Sequence, residues 1–574
     1  MGLELDLVIR GGTVVDGTGG PARDADVGIR GGRIAAVGPI PERGREEIDA
    51  RGKLVTPGFV DIHTHYDGQA IWDSHLQPSA LHGVTTAVMG NCGVGFAPVR
   101  PTDHGRLIEL MEGVEDIPGP CLHEGLDWRW ESFPQYLDRL DARPRDMDLC
   151  ALLPHGALRV YVMGERALRL ENARPDDVAA MRALATEAVR AGAIGFSTSR
   201  TISHKTVKGD PTPTLLAQEE ELTGIALGLR EVGRGFLEVV SDFHVPDMAT
   251  EFGILRRVVA ASGRPLVFSL TARHDRTEAF RELLALSEAA TEEGLSIRPV
   301  FPPRPIGILF GLQGSQNPFS GAPSYRRLAE LPLAERVAAM RDPATRARIL
   351  SEDPLAESTF PLMSRLTYDR MFPFGDPPDY APAREDSIAA IAAREGRPAA
   401  EVAYDALVAD DGAGFLFAPL TNYADFTLSA SAECLRHPNA IVGLSDGGAH
   451  VAFISDASFT TFLLTYWGRD GREARFPIPD LVRRLTSDTA GAVGLRDRGR
   501  LAPGLKADVN VIDFDRLALR APVMVNDLPA GGRRLLQRAE GYVATIVSGV
   551  VTYRDGVATG ALPGRLVRGQ RDAA

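Results

Sequence analysis

Pro57-Gly58-Phe59-Val60-Asp61-Ile62-His63-Thr64-His65 opens on a turn signal and runs on as an apolar segment ending in carboxylate and imidazole. In a strand, alternate side chains share a face, so Asp61, His63 and His65 point the same way. Two imidazoles about 7 Å apart at the end of a buried strand can hold one metal ion. A single histidine on such a strand carries little information. The pair, closing an apolar run just after Pro57-Gly58, is more specific.

Working outward, residues 5–55 read as short β-branched runs separated by glycine pairs, the pattern of hairpins. The same style returns over 507–556, in Ala507–Ile512, Tyr542–Val547 and Val550–Tyr553. Neither end holds enough apolar sequence for a core of its own, so both are expected to build one small β-sandwich domain. Between them, apolar runs of buried-strand type alternate with helical periodicity. The expected strands are Phe59–His65, Thr85–Cys92, Leu149–His155, Ala193–Ser199, Phe236–Phe243, Pro265–Leu270, Ser296–Phe301 and Ala440–Asp446. Pro175–Ala191 shows the connecting helices well, with Pro175 suited to a first turn and Val178, Met181, Leu184 and Ala188 on one face. The fold class is therefore α/β, a (β/α)8 TIM-like barrel, with a doubly wound sheet as the alternative. The expected boundaries are 1–55 and 501–574 for the two parts of the β domain and 56–500 for the barrel. Insertions at about 97–148 and 302–439 follow strand ends. They are expected to form a lid or substrate wall, or contacts between copies in a homo-oligomer.

Composition narrows the class. Of 574 residues, 44% are hydrophobic and 24% charged, which describes an ordinary globular chain and excludes wholesale disorder. The net charge of −13 and the lack of a basic stripe argue against nucleic acid as a partner. No run of 18 apolar residues suggests a membrane span, and Met1–Arg10 does not read as a signal peptide. Four cysteines without a CxxC pair are no disulfide framework, so a soluble cytoplasmic protein with reduced thiols is expected.

Two further motifs close strands. Gly90-Asn91-Cys92-Gly93 ends the second, where small neighbours give a thiol room to bind zinc. Gly443-Leu444-Ser445-Asp446-Gly447-Gly448-Ala449-His450 ends the eighth, where a carboxylate can touch a metal and take a proton from water. Taken with Gly499–Val509, the order of these pieces resembles the amidohydrolase superfamily, and within it the N-acyl-D-amino-acid deacylase (D-aminoacylase) family. The resemblance runs from Leu7 to about Arg568, with HTH, GNCGVGFAPV and SDGGAH as its specific parts.

That resemblance implies a barrel joined to a β domain made from both termini, and zinc held with the help of a cysteine on the second strand. His63, His65, Cys92 and Asp446 match the family's first-strand histidines, bridging cysteine and catalytic aspartate. The family also has histidines at the ends of the fifth and sixth strands. Here the fifth reads Ser241-Asp242-Phe243-His244, making His244 a further candidate ligand with Asp242 as its alternative. The sixth shows Ser269-Leu270-Thr271; Leu270 cannot ligate, and His274 lies beyond the strand end. One Zn2+ is the reading, with two the alternative. The family's tyrosine- and serine-bearing loop and its lysine are missing, so its D-amino-acid carboxylate recognition does not carry over. The strand-end groups His155, Arg159, Ser199, Arg200, Arg304 and His450 are the expected substrate contacts instead. The expected activity is zinc-dependent cleavage of a C–N amide bond in a small N-acyl amino acid or related amide, with Asp446 as general base and then acid. A cyclic amide, imide or lactone hydrolase and a catalytically silent scaffold are the alternatives.

Overall fold

The computed structural model describes residues 4–243, 247–356 and 366–570. Its centre is an eight-stranded, all-parallel sheet. The strands, numbered here in chain order, are β1 (Phe59–Asp61), β2 (Val84–Met89), β3 (Asp148–Pro154), β4 (Gly195–Arg200), β5 (Phe236–Ser241), β6 (Leu266–Ser269), β7 (Ile297–Phe301) and β8 (Ile441–Val442). All eight overlap the expected apolar runs, but β1 stops at Asp61 and β8 at Val442, so His63, His65 and Asp446 lie beyond the strands rather than in them. Most of their residues are buried, as parallel strands covered on both faces must be. The sheet curls in the manner of a TIM-like barrel. Val60, Val88, Leu152, Ile194, Phe236, Val267, Val300 and Ile441, one from or beside each strand, meet in a single apolar cluster. Just past the two edge strands, Thr64 bridges Gly447 in parallel sense.

Helices connect the strands. Pro175–Ala191 forms as the periodicity indicates, with Pro175 in its first turn and Met181, Ala185, Ala188 and Val189 buried. Glu219–Val232, Met248–Ser262 and Ala279–Glu292 follow β4, β5 and β6.

Both termini join in one nine-stranded sheet, where Leu54–Pro57 from the N-terminal part pairs with Val509–Ile512 from the C-terminal part. The first strand, Leu5–Val14, pairs along its first half with Gly44–Asp49 and along its end with Leu54–Pro57. The strands are thus connected as one branched sheet around a shared apolar cluster, and the pairing does not divide it into the two sheets of the expected sandwich. Because Pro57 still belongs to this sheet, the passage into the barrel is Gly58, whose N–H donates to the Asp508 carbonyl.

The insertion after β2 supplies the helices His104–Glu115, Gly119–Gly125 and Phe133–Asp141. The longer one after β7 has its own three-stranded sheet, Gly307–Gly311, Phe372–Phe374 and Phe415–Pro419, and a separate apolar cluster. The C-terminal part leaves its sheet for a two-stranded ribbon, Val523–Val525 with Arg534–Leu536, that reaches the same face as the strand ends. Among the described residues no helix is long and apolar enough to cross a membrane.

Candidate active site

The segment after β1 is fixed from both sides. The Thr64 hydroxyl donates to the Val88 carbonyl, and Asn91 Nδ2 donates to the carbonyls of Thr64 and Val88. The Ser445 hydroxyl donates to the His63 carbonyl, and His65 N–H to the Gly447 carbonyl. These bonds leave His63 and His65 side by side, ring centroids 5.4 Å apart.

Cys92 is presented by a tight left-handed turn, with Gly90, Cys92 and Gly93 all at positive φ. A side chain at Gly93 would lie 2.9 Å from the backbone of Thr198 and Ser199, so only glycine lets this turn press on β4. The loop after β8 is bent likewise, with Leu444, Asp446, Gly448 and His450 at positive φ. A non-glycine residue held there costs on the order of 1–3 kcal/mol, which the surrounding structure has to offset; such strain clusters at functional sites.

Four donor atoms converge. His63 Nε2 lies 3.4 Å from Cys92 Sγ and 3.4 Å from Asp446 Oδ1, and His65 Nε2 lies 3.6 Å from the same carboxylate oxygen. One ligand atom each from His63, His65 and Cys92 falls within a mutual 4.8 Å. Two glutamates stand behind. Glu115 Oε1 is 3.3 Å from His65 Nδ1, and Glu238 Oε1 is 3.8 Å from His63 Nδ1. The Cys92 N–H donates to Glu238 Oε2 at 3.0 Å.

This donor set fits a divalent cation. Neither ring nitrogen of His65 has a hydrogen-bond partner within the protein, nor do Glu115 Oε1 and Glu238 Oε1. Burial pushes Glu238 up to about 8, Glu115 up to about 7, and the Cys92 thiol well above its ordinary value. Burial also drives His63 down to about 3. His65 moves the other way, to about 9, because the carboxylates of Glu115 and Asp446 outweigh its burial. Against burial, the two histidines hold Asp446 below the usual carboxylate range. So many buried anionic donors without a lysine or arginine among them call for a positive charge at their centre.

Asp446 is the member of the set that meets open space: its side chain is 16% exposed, against 4% for His63 and 1% for His65. It lines a narrow, part-open cavity together with Gln69, Gly448, Asp456 and Arg534.

The expected substrate contacts divide. His450 joins the site, its Nε2 3.7 Å from Glu115 Oε2. Ser199 reaches it indirectly, through a 3.0 Å contact with His204 Nδ1, and His204 has His450, His65 and Asp446 as electrostatic neighbours. Four of the expected contacts are engaged elsewhere. His155 and Arg159 both bind the buried Glu221 at 2.8 Å, so they tie their helix, His155–Met163, to the helix Glu219–Val232. Arg200 is held by Glu251 and the Ala217 carbonyl. Arg304 is buried against Asp456 and the face of Tyr380, and it is not part of the cavity wall. His274 has Arg370 and Asp275 as its charged neighbours, away from the donors, and Asp242 is engaged by Thr201 and the Ile202 N–H. His244 lies outside the described residues.

Glu115 and Glu238 went unread in the sequence. Glu238 had a signal, a lone carboxylate inside the apolar run Phe236–Val240. Glu115 had none, because its place depends on how the insertion folds.

An amidohydrolase family model matches residues 46–553, most of the chain. The chain belongs to the amidohydrolase family. It is 28% identical to the D-aminoacylase of Alcaligenes xylosoxydans xylosoxydans, over 98% of this chain and 97% of that one. A solved D-aminoacylase structure, described for the functional role of its binuclear metal centre, superposes with a TM-score of 0.65 at 26% identity, covering 98% and 100% of the two chains. The N-acyl-D-glutamate deacylase of Bordetella bronchiseptica, solved with zinc and a phosphonate inhibitor, gives 0.63 at 25% identity over 99% and 100%. This amidohydrolase is thus D-aminoacylase-like, a metal-dependent hydrolase of amide bonds.

Proposed function

We propose that this amidohydrolase cleaves the amide bond of a small N-acyl amino acid or a related amide, with one zinc ion held by His63, His65, Cys92 and Asp446. The observation that carries the reading is the convergence of His63, His65 and Cys92 ligand atoms within 4.8 Å, beside a carboxylate that faces the cavity. When bound, zinc acidifies water and polarises a carbonyl oxygen. Asp446 takes the proton of the attacking water as the C–O bond forms. As the C–N bond breaks, Asp446 delivers that proton to the leaving nitrogen, so no outside acid is needed. The relatives' names supply the substrate class: one is a D-aminoacylase and the other an N-acyl-D-glutamate deacylase. A single ion suits this chain, since neither Leu270 nor His274 offers a sixth-strand ligand among the donors.

The test pairs metal analysis with turnover. Wild type is expected to carry one zinc per protomer and to hydrolyse linear N-acyl amino acids in preference to hydantoins, lactams and lactones. Cys92→Ala is expected to lose the metal and the activity together. Full zinc in Cys92→Ala removes the ligand assignment, and turnover confined to the cyclic substrates moves the enzyme to the cyclic-amide class.

A further inference from the structure

We infer that Glu115, supplied by the insertion after β2, is a positioning residue that sets the orientation and tautomer of His65 toward the metal. This rests on the reading of the site as a zinc centre.

Glu115 is the last residue of the helix His104–Glu115, and the next residue, Asp116, turns away in a left-handed conformation. Its side chain is 2% exposed. Its ion-pair partners among the described residues are two histidines, with Oε1 3.3 Å from His65 Nδ1 and Oε2 3.7 Å from His450 Nε2. The backbone helps, since the Glu115 carbonyl accepts the His450 N–H at 2.5 Å. A carboxylate buried this deeply without an arginine or lysine is costly unless a fixed partner repays it.

The partner geometry says what it does. The 3.3 Å contact is electrostatic rather than a hydrogen bond; a carboxylate on that side favours the proton on Nδ1, which leaves the Nε2 lone pair for a metal ion held with Asp446 and Cys92. Glu238 stands behind His63 in the same way but farther off, at 3.8 Å, and it also accepts the Cys92 N–H. Glu115 is therefore the more direct support of a ligand ring. It comes from outside the barrel, so the insertion is a working part of the metal site.

The test measures zinc affinity of the full chain by competition with a chromogenic chelator. Glu115→Gln is expected to bind zinc about 10–100-fold more weakly, the usual cost of losing such a support. Glu115→Asp keeps the charge one methylene farther back, and its affinity is expected to fall between the two. In a His65→Gln background the same Glu115→Gln change is expected to have no further effect, since it acts through that ring. Unchanged affinity in Glu115→Gln, an Asp variant no better than the Gln variant, or an equal loss in the His65→Gln background would each overturn the inference. Wild type that binds no zinc overturns the metal reading itself, whereas zinc-replete wild type with an unaffected Gln variant overturns only the role of Glu115.

Discussion

Replacing Asp446 by Asn separates its two possible roles, ligand and proton carrier. The substitution keeps size and shape. It also keeps the backbone, because Asp446 sits at φ +49, where Asn is as well tolerated as Asp. Ala at the same position would add roughly 1–2 kcal/mol of left-handed strain and confuse the result. His63, His65 and Cys92 still present three ligand atoms within 4.8 Å of one another, so zinc is expected to stay. Asn cannot take a proton from water. A positioned general acid–base contributes about 10²–10⁴-fold, or about 2.7–5.4 kcal/mol at 1.36 kcal/mol per decade. Asp446 serves twice, in the attack and in the departure of the amine, so a loss of about 10³–10⁴-fold in kcat is expected. The assay is kcat and KM on linear N-acyl amino acids, with zinc measured on the same sample. Turnover within tenfold of wild type at full zinc would refute the proton role. Loss of zinc would show that Asp446 serves first as a ligand.

Two further outcomes follow from other parts of the molecule. Arg159→Ala leaves Glu221 with His155 alone in a buried setting, and is expected to cost about 3–5 kcal/mol of stability while KM stays unchanged; a raised KM with normal thermal unfolding would restore Arg159 to the substrate site. Gly448→Ala places a methyl 2.8 Å from the His65 carbonyl at φ +93, so turnover and zinc affinity are both expected to fall; wild-type values for both would mean that the loop yields without moving His65.

The barrel was legible because its strands are buried on both faces, and strands of that kind leave unbroken apolar runs. The donors were legible for a related reason. His63, His65, Cys92 and Asp446 lie at the ends of those runs, where chain position alone places them on one face of the barrel. That logic fails one step later. His155 follows β3 directly, closer than Cys92 follows β2, yet it begins the helix His155–Met163. There it and Arg159, four residues apart, share a helix face that meets Glu221 of the helix Glu219–Val232. A strand end marks the active face, but the turn after it decides where the side chain points. Glu115 marks the opposite limit, since its position is a tertiary consequence of the insertion's packing.

The segment from Gly447 to Phe453 is where these parts meet. Gly447 bridges β1's extension, and the His450 N–H is held by Glu115. The Ala452 and Phe453 carbonyls accept N–H groups of Ser315 and Leu309 from the long insertion, and the Val451 carbonyl accepts that of Leu535 from the C-terminal ribbon. Three excursions from the barrel thus grip one loop, and Asp446 stands at its start. The donors are fixed by bonds among the segments that follow β1, β2 and β8, and by Glu238 of β5. The cavity wall takes Asp446, Gly448 and Val451 from this loop and its start, Ile454 and Asp456 from just beyond it, and Arg534 and Leu535 from the ribbon. Asp446 belongs to both the donor set and the wall, whereas His63, His65 and Cys92 do not line the cavity. Exchanges in the wall can change which amide is accepted while the donor set stays intact.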